Sequence, residues 1–269
     1  MTTEVTGAAD VAAYFGRIGY QGPAEPTVET VYDLVAAHNR SIPFENLDPL
    51  LGIPVADLSA AALSDKLVHR RRGGYCYEHA VLLGAVLERL GYPVVRRLAR
   101  IGDPSVTPRP RSHLVLFVLV DDVWHLADTG YGSGLLFPVP LVDGLESAQG
   151  GWTFRTVLLA DGGWQLHEQR SGHWFTHYTV PLEDTFLVDV LAANWVTSTS
   201  PTSRFTPQLV VQRKDEALVH MLTGRELVVE SPAGRQSVST VADDALDGVL
   251  REMGLTMTPE QLALLVERF

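Results

Sequence analysis

The spacing of hydrophobic residues divides the chain into an early part with helical periodicity and a later part with strand periodicity. Up to residue 91, apolar residues recur at helical spacing, as Val31, Leu34 and Val35 do in "PTVETVYDLVAAHNR". From residue 92 the period shortens to two, in short runs separated by turn residues such as Asp121-Asp122. The pattern predicts helices first, and then a β meander or small barrel.

Two further stretches complete this outline. "SIPFENLDPLLGIP" contains Pro and Asn residues between two predicted helices, and we predict a loop there. After "ANWVTSTSPTSRF", the strand-like runs "QLVVQ", "ALVHML" and "RELVVES" precede two helices, the second with Thr258 as cap and Pro259 in its first turn. Helices, then strands, then a mixed segment are typical of the α+β class, and we predict three small segments packed together.

Composition narrows the function classes. The chain has 269 residues, of which 46% are hydrophobic and 20% charged, as in ordinary globular proteins. A net charge of −11 argues against a broad nucleic-acid surface. No apolar run is long enough to span a membrane, and the N-terminus lacks a signal-peptide pattern, so we expect a cytoplasmic protein with no membrane partner. A single cysteine, which cannot form an internal disulfide, agrees with a reducing compartment.

That cysteine, Cys76, lies in "RRGGYCYEHA", after two glycines and before an apolar helical run. A helix that begins at Cys76 would place the thiol where unpaired N–H groups carry about half a positive charge, which favours the thiolate. Gly73 and Gly74 allow a crowded backbone entry, and Arg71 and Arg72 could add positive potential. These features indicate a nucleophile. The alternative is a buried cysteine without a chemical role.

A nucleophilic thiol needs a base, and His113 is the candidate because strand geometry supplies it with a carboxylate. If Asp121-Asp122 is the turn of a hairpin, Val120 faces Val123. Asp128 is then the diagonal neighbour of His113 on the same face, with Cβ atoms about 7–8 Å apart. A slip of one residue would put the two side chains on opposite faces. We interpret the other eight histidines as structural or surface residues.

Cys76, His113 and Asp128 together predict acyl transfer through a cysteine thioester. Asp128 would fix the His113 tautomer, His113 would hold the thiol proton, and Cys76 would attack an acyl carbonyl. Several unrelated hydrolases and transferases share this arrangement, so it indicates the chemistry and leaves the substrate open. "HWFTH" places two histidines on one strand face, but no third ligand stands at a familiar spacing, and we expect no metal site.

Six stretches follow one another along the first 205 residues: "RIGYQGP" with "PTVETV", "SIPFENLDPLLG", "RRGGYCYEHA", "RSHLVLFV", "HLADTGYG" and "ANWVTSTSPTSRF". The set resembles the motifs of the arylamine N-acetyltransferases, a family that includes the related ansamycin amide synthases. The resemblance implies a helical bundle (residues 1–91), a β-barrel (92–192) and an α/β lid (193–269), with a cysteine-protease-like Cys76, His113 and Asp128 triad. It also implies a ping-pong reaction, in which an acyl group passes from acetyl-CoA to Cys76 and then to an arylamine or arylhydrazine.

The resemblance further implies a substrate pocket. By motif position its walls are Phe44, Ile101, Tyr131 and Phe205, although core packing is an alternative role for the aromatic residues. Arg72 and Glu78 match family positions that hold the active-site loop together. No permanently bound cofactor is implied, and acetyl-CoA or another acyl thioester would act as a co-substrate.

Some positions depart from the family pattern and leave the acyl donor open. Ala80 stands where asparagine is common, and "GDPSVTPRPRSH" lacks the tryptophan that contacts coenzyme A in many bacterial members. The alternative donor is an acyl carrier protein, from which an ansamycin amide synthase releases a polyketide by closing it onto its own arylamine. Two alternatives remain. A cysteine protease or transglutaminase-like enzyme has no counterpart of the cysteine loop or of "IPFENL", and a non-enzymatic binding module would suit a chain that had lost Cys76 or His113, whereas both are present.

Overall fold

The computed structural model describes residues 9–268, and its first segment is a bundle of short helices. The first helix begins where the Asp10 carboxylate accepts the Ala13 N–H at 3.0 Å, and it ends at Gly19, whose φ of +69° suits a residue without a Cβ. Ser59 caps the fourth helix, because its hydroxyl oxygen accepts the Ala62 N–H at 3.3 Å. The helices are α1 (Val11–Ile18), α2 (Val28–Ser41), α3 (Leu47–Leu50), α4 (Ala60–Leu63), which continues as a π-helical segment (Ser64–His69), and α5 (Cys76–Arg89).

The second segment is an antiparallel eight-stranded sheet that curls into a nearly closed barrel. Its strands are β2 (Val94–Ile101), β3 (Arg111–Val120), β4 (Val123–Ala127), β5 (Val139–Pro140), β6 (Glu146–Gln149), β7 (Trp152–Leu158), β8 (Trp164–Arg170) and β9 (His173–Val180). In the sheet they lie in the order β5-β4-β3-β2-β9-β8-β7-β6. Val115, Phe154 and Leu166 are fully buried and belong to its apolar core. The predicted change from helical to strand periodicity near residue 92 is therefore confirmed.

The third segment is a five-stranded antiparallel sheet with helices packed on it. Helix α6 (Leu187–Thr199) leads into it from the barrel. Its strands, in spatial order, are β1 (Phe44–Glu45), β10 (Val210–Lys214), β11 (Val219–Thr223), β12 (Glu226–Ser231) and β13 (Gly234–Thr240), followed in the chain by a 3₁₀ turn (Asp243–Ala245), α7 (Leu246–Glu252) and α8 (Pro259–Glu267). The predicted α+β architecture of bundle, barrel and lid is confirmed.

The stretch "SIPFENLDPLLGIP" is where the structure differs from the loop that its Pro and Asn residues predict. Phe44 pairs with Gln212 and Glu45 with Val211, so two of its residues form β1 at the edge of the C-terminal sheet. The short helix α3 follows at once. A strand this short is stabilised by its distant partner strand, and two residues are too few to show the alternating hydrophobic pattern that predicts a strand.

The boundaries at residues 91/92 and 192/193 stay a prediction. Helix α6 runs across the second boundary, and residues 1–8 and 269 lie outside the described residues. No helix among residues 9–268 has the length and apolar character that crossing a bilayer requires.

A cluster of buried charges holds the loop before α5. The Lys66 ammonium lies 2.7 Å from Glu78 and 2.6 Å from Asp48, and the Arg72 guanidinium donates to Glu45 at 2.8 Å. Burial alone would lower the pKa of Lys66, but the three carboxylates around it raise that pKa above its usual range. The π-helical segment and the loop that follows it are therefore tied by ion pairs to α3, α5 and β1.

Replacing Lys66 with Met should strongly destabilise the fold, because it leaves Glu78, which is 1% exposed, without its cation. We expect the free energy of unfolding to fall by about 3–5 kcal/mol in urea denaturation. Arg70→Met is the matched control: it removes an exposed pair with Asp65 and should cost about 1 kcal/mol or less. Equal losses in both variants would contradict the role given to the buried cluster.

Candidate active site

The β3–β4 hairpin has the register that its Asp-Asp turn predicts. Val120 lies opposite Val123 in the two strands. Asp121 and Asp122 have φ values of +47° and +60°, as the turn that matches the twist of a two-residue hairpin requires. Because the register is fixed here, the strand faces further along the hairpin are fixed as well.

This register brings a histidine and a carboxylate together in the protein interior. His113, near the start of β3, donates from Nε2 to Asp128 Oδ2 at 2.8 Å, just beyond the end of β4. The second carboxylate oxygen accepts the backbone N–H of Gly130 at 2.9 Å. Both side chains are almost completely buried. Asp128 is therefore held on two sides, and it fixes the orientation of the imidazole.

Cys76 is the first residue of α5. Tyr75 before it has extended backbone (φ −112°, ψ −174°), and the Tyr75 N–H donates to Glu78 Oε2 at 3.2 Å. A Cβ at Gly73 would lie only 2.2 Å from the Pro43 carbonyl oxygen, so the chain enters the helix through a space that only glycine fits. The thiol is thus at the positive end of a helix of 14 residues, which favours negative charge on sulfur.

The structure brings the sulfur of Cys76 to the imidazole of His113. Burial alone would lower the pKa of His113, but the charge of Asp128, its hydrogen bond and a hydrogen bond with Cys76 together raise that pKa to about 10. His113 in turn keeps the pKa of Asp128 below its usual range, against the effect of burial. The Cys76 Sγ also lies 3.7 Å from the Ser112 carbonyl oxygen. The site therefore favours an imidazolium beside a carboxylate and a sulfur.

Two other buried histidines near the site are neutral. The His79 Nε2–H must donate to the Gly74 carbonyl (3.0 Å), because a carbonyl only accepts. Neutral His79 then accepts from His38 Nε2 (2.7 Å), and His38 Nδ1 accepts the Tyr14 hydroxyl proton (2.7 Å). Burial lowers the pKa of His79 to about 4 and that of His38 well below its usual range. This chain of hydrogen bonds holds the Gly73-Gly74 turn before α5 without adding a charge beside it.

Gly130 packs directly against the backbone of Cys76. A Cβ at this position would lie 2.6 Å from the Cα and 2.9 Å from the carbonyl oxygen of Cys76. Real Cβ atoms essentially never approach other heavy atoms so closely, so the backbone of one partner must move if a side chain is added. The close approach of these two backbones sets where the thiol stands relative to His113.

Gly130→Ala should therefore lower activity sharply while the protein stays folded. Displacing Cys76 by a fraction of an ångström to 1 Å should lower kcat/KM by about 100-fold, while overpacking costs about 1–3 kcal/mol of unfolding free energy. Gly248→Ala in α7 is the control, because a Cβ there meets no atom within 4 Å. That variant should keep full activity. Wild-type turnover by Gly130→Ala would contradict the close approach.

Aromatic residues from the bundle and the lid meet at Tyr75, the residue before Cys76. The ring centroids of Phe44 and Phe205 lie 5.8 Å apart, and Tyr75 lies 5.8 Å from Phe205. Phe44 is 6% exposed and also belongs to the apolar core, whereas Phe205 is only partly buried against it. The structure thus joins two of the predicted wall residues, and their contact with a substrate stays a prediction.

The other two predicted wall residues come from the barrel. The Tyr131 ring lies 5.4 Å from the His113 ring in an edge-to-face arrangement. Ile101 lies at the end of β2 opposite Tyr178, whose ring is 4.9 Å from His113. Tyr131 is therefore beside the imidazole, while Ile101 lies one strand away.

The sequence does not single out Lys214 and Tyr178, although the Tyr178 ring lies 5.6 Å from that of Tyr131. His177, one of the histidines that we expect to be structural or surface residues, is buried and donates to Glu168 at 3.0 Å. His173 of the "HWFTH" pair is exposed, and among residues 9–268 no three His, Cys, Asp or Glu side chains are grouped to hold a metal ion.

Comparison with known proteins gives the class of this fold and site. The family model of the N-acetyltransferases matches residues 27–261. The arylamine N-acetyltransferase of Mycolicibacterium smegmatis is 40% identical over 258 residues, which are 93% of each chain. The present chain is thus an acyltransferase.

Solved structures agree with the sequence comparison. The Nocardia farcinica arylamine N-acetyltransferase superimposes with a TM-score of 0.88 at 37% identity, covering 96% of this chain and 93% of that one. The Mycobacterium marinum enzyme in complex with CoA gives a TM-score of 0.87 at 34% identity, covering 96% and 99%. The chain belongs to the arylamine N-acetyltransferase family.

Proposed function

We propose that this chain transfers an acetyl group from acetyl-CoA to the nitrogen of an arylamine or arylhydrazine, by a ping-pong reaction through a thioester on Cys76. The observation that carries the proposal is the meeting of Cys76, His113 and Asp128 at the N-terminus of α5. The names of the relatives and the CoA complex of the M. marinum enzyme support the choice of substrates. A cytoplasmic location suits a nucleophilic thiol that must stay reduced.

The first half-reaction loads the enzyme. His113 holds the thiol proton, and the Cys76 thiolate attacks the acetyl carbonyl of the thioester. The tetrahedral intermediate collapses by breaking the bond from carbon to the CoA sulfur, and CoA leaves as its thiol with the proton from His113. Asp128 keeps the His113 ring oriented throughout, and the positive end of α5 stabilises charge on the Cys76 sulfur.

The second half-reaction releases the product. The amine nitrogen attacks the carbonyl of the acetyl-cysteine, and His113 takes a proton from that nitrogen. The carbon–sulfur bond to Cys76 then breaks, which restores the thiolate–imidazolium pair. We propose that Phe44, Ile101, Tyr131 and Phe205 form the apolar walls against which the aromatic ring lies; Tyr131 is best placed, beside His113. The reaction uses these side chains and two substrates, with no permanently bound cofactor.

A second candidate function within the family is amide synthesis. The segment after β2, "GDPSVTPRPRSH", contains no tryptophan, and Val106 within it is 79% exposed. A segment without that tryptophan favours a donor other than acetyl-CoA, and we propose a carrier-bound polyketide as this alternative donor. The arylamine of the polyketide itself would then attack the thioester in the second half-reaction.

Intact mass spectrometry should separate these functions. Incubation with acetyl-CoA alone should add the mass of one acetyl group to the wild-type protein and none to Cys76→Ala, because Cys76 is the only cysteine. Subsequent addition of an arylamine should remove the adduct and yield the acetylated amine. If no adduct forms and the protein instead releases a carrier-linked aromatic-amine polyketide, the proposed acetyltransferase function is wrong and the amide synthase function is supported.

Alkylation tests the activation of the thiol. Burial alone would lower the pKa of His113, but Asp128 and Cys76 together raise it to about 10, so the imidazolium should persist beside Cys76 across pH 6–9 and be lost only as the pH approaches that value. At pH 6.5 we expect iodoacetamide to modify wild type at least about tenfold faster than His113→Gln, with Asp128→Asn between them. Circular dichroism would verify that the variants are folded. Equal rates in all three proteins would rule out the activated thiol.

A further inference from the structure

A second buried group of charged side chains lies next to Tyr131, where the barrel meets the C-terminal sheet. Lys214 of β10 donates to Glu168 of β8 at 3.0 Å, and His177 of β9 donates to the other Glu168 oxygen, also at 3.0 Å. The side chains of Glu168 and His177 are 0% exposed, and that of Lys214 is 3% exposed. Arg170, which is partly exposed, also pairs with Glu168. The mechanism above uses none of these groups.

Lys214 connects the lid to the barrel more closely than a single ion pair would. Its ammonium also donates to the Ser133 carbonyl at 3.1 Å, and it lies 3.9 Å from the ring centre of Trp152 and 4.7 Å from that of Phe154. Ser133 stands two residues after Tyr131. A side chain of the C-terminal sheet therefore holds the loop that carries a predicted pocket wall.

This loop needs support from outside, because its sequence is Gly130-Tyr131-Gly132-Ser133-Gly134. Glycines restrict the backbone least, so the chain itself does little to fix the position of Tyr131. Gly132 has a φ of +79°, and a Cβ there would lie 2.3 Å from Gln212 Oε1. Two side chains of β10, Gln212 and Lys214, thus define where this loop lies.

The same group also fixes the Tyr131 ring directly. The His177 ring meets Tyr131 edge to face, with centroids 4.8 Å apart, and Tyr131 meets His113 in the same way at 5.4 Å. Contacts therefore run without a break from Lys214 through Glu168, His177 and Tyr131 to His113.

We propose that Lys214 is a positioning residue for the acceptor amine: through Ser133, Glu168 and His177 it fixes the Tyr131 wall against which the aromatic ring of the amine binds. The inference rests on the proposed function, and it gives the C-terminal sheet a part in acceptor selection. Stability alone does not explain the group, since replacing a buried ion pair with neutral side chains of similar volume is often neutral or stabilising. Attack on acetyl-CoA depends on Cys76 and His113, so only the second half-reaction should respond.

The test measures the two half-reactions separately in Lys214→Met/Glu168→Gln, a double variant that removes both buried charges together. The rate of acetyl loading should stay within about twofold of wild type, while KM for the arylamine should rise about tenfold with kcat kept within about threefold. Lys214→Arg retains a cation and should recover part of the affinity for the amine. Arg213→Met is the control, because the neighbouring Arg213 donates to the Arg40 carbonyl, and it should leave both half-reactions unchanged.

A second measurement needs no variant. Burial lowers the pKa of Lys214 to about 8, against the effect of Glu168. The groups that face it do not change charge between pH 7 and 9: the pKa values of Glu168 and His177 are lowered, that of Tyr131 is raised to about 12, and Arg170 is a guanidinium. With acetyl-enzyme prepared in advance, KM for an uncharged aromatic amine should rise from pH 7 to pH 9 in wild type, and stay flat in the double variant.

The outcomes that overturn the inference differ from those that overturn the proposed function. An unchanged KM for the amine in the folded double variant, or an equal loss in both half-reactions, would exclude a positioning role. If the double variant does not fold, a wild-type KM that stays level from pH 7 to pH 9 excludes it as well. Failure of the proposed function would show earlier, as the absence of any acetyl-enzyme in wild type.

Discussion

The hydrogen bond between His113 and Asp128 depends on the register of a single hairpin, and the rest of the site depends on that bond. A slip of one residue would turn the histidine to the opposite face of the sheet and leave a buried carboxylate without a partner. The left-handed Asp121-Asp122 turn and the apolar residues of β3 both favour the observed pairing. The register is thus decided twice, by turn geometry and by burial.

The surroundings of each histidine decide its charge. His38 and His79 are as deeply buried as His113, but their partners are a hydroxyl, a second imidazole and a carbonyl, so burial keeps them neutral. His113 has a carboxylate at 2.8 Å, which outweighs the same burial. The fold therefore places one positive imidazolium beside the sulfur and keeps the neighbouring loop uncharged. If His79 were protonated, its Nδ1 could no longer accept the hydrogen bond from His38. The chain of hydrogen bonds therefore requires a neutral His79.

Much of the site could be predicted because its determinants are local. The glycines before Cys76 and the hairpin turn both lie within a few residues of what they control, and the motifs around them identify the family. The missing parts are long-range. Lys214 and Glu168 are 46 residues apart, and nothing in either stretch indicates the partner. Strand β1 could not be predicted for the same reason, since Phe44 belongs to a strand only because it pairs with the distant Gln212.

These long-range contacts explain why the site needs the whole chain. The bundle supplies the sulfur, the barrel supplies the imidazole and carboxylate, and β10 of the lid pairs with β1 and holds the Tyr131 loop. Burial of the Glu168 carboxylate is favourable only when Lys214 from the lid pairs with it. Burying an unpaired carboxylate costs several kcal/mol of folding free energy, on the order of the net stability of a domain. The charged groups therefore penalise any assembly in which the lid is displaced. Correct docking of the three segments and correct placement of Cys76, His113 and Asp128 become the same event.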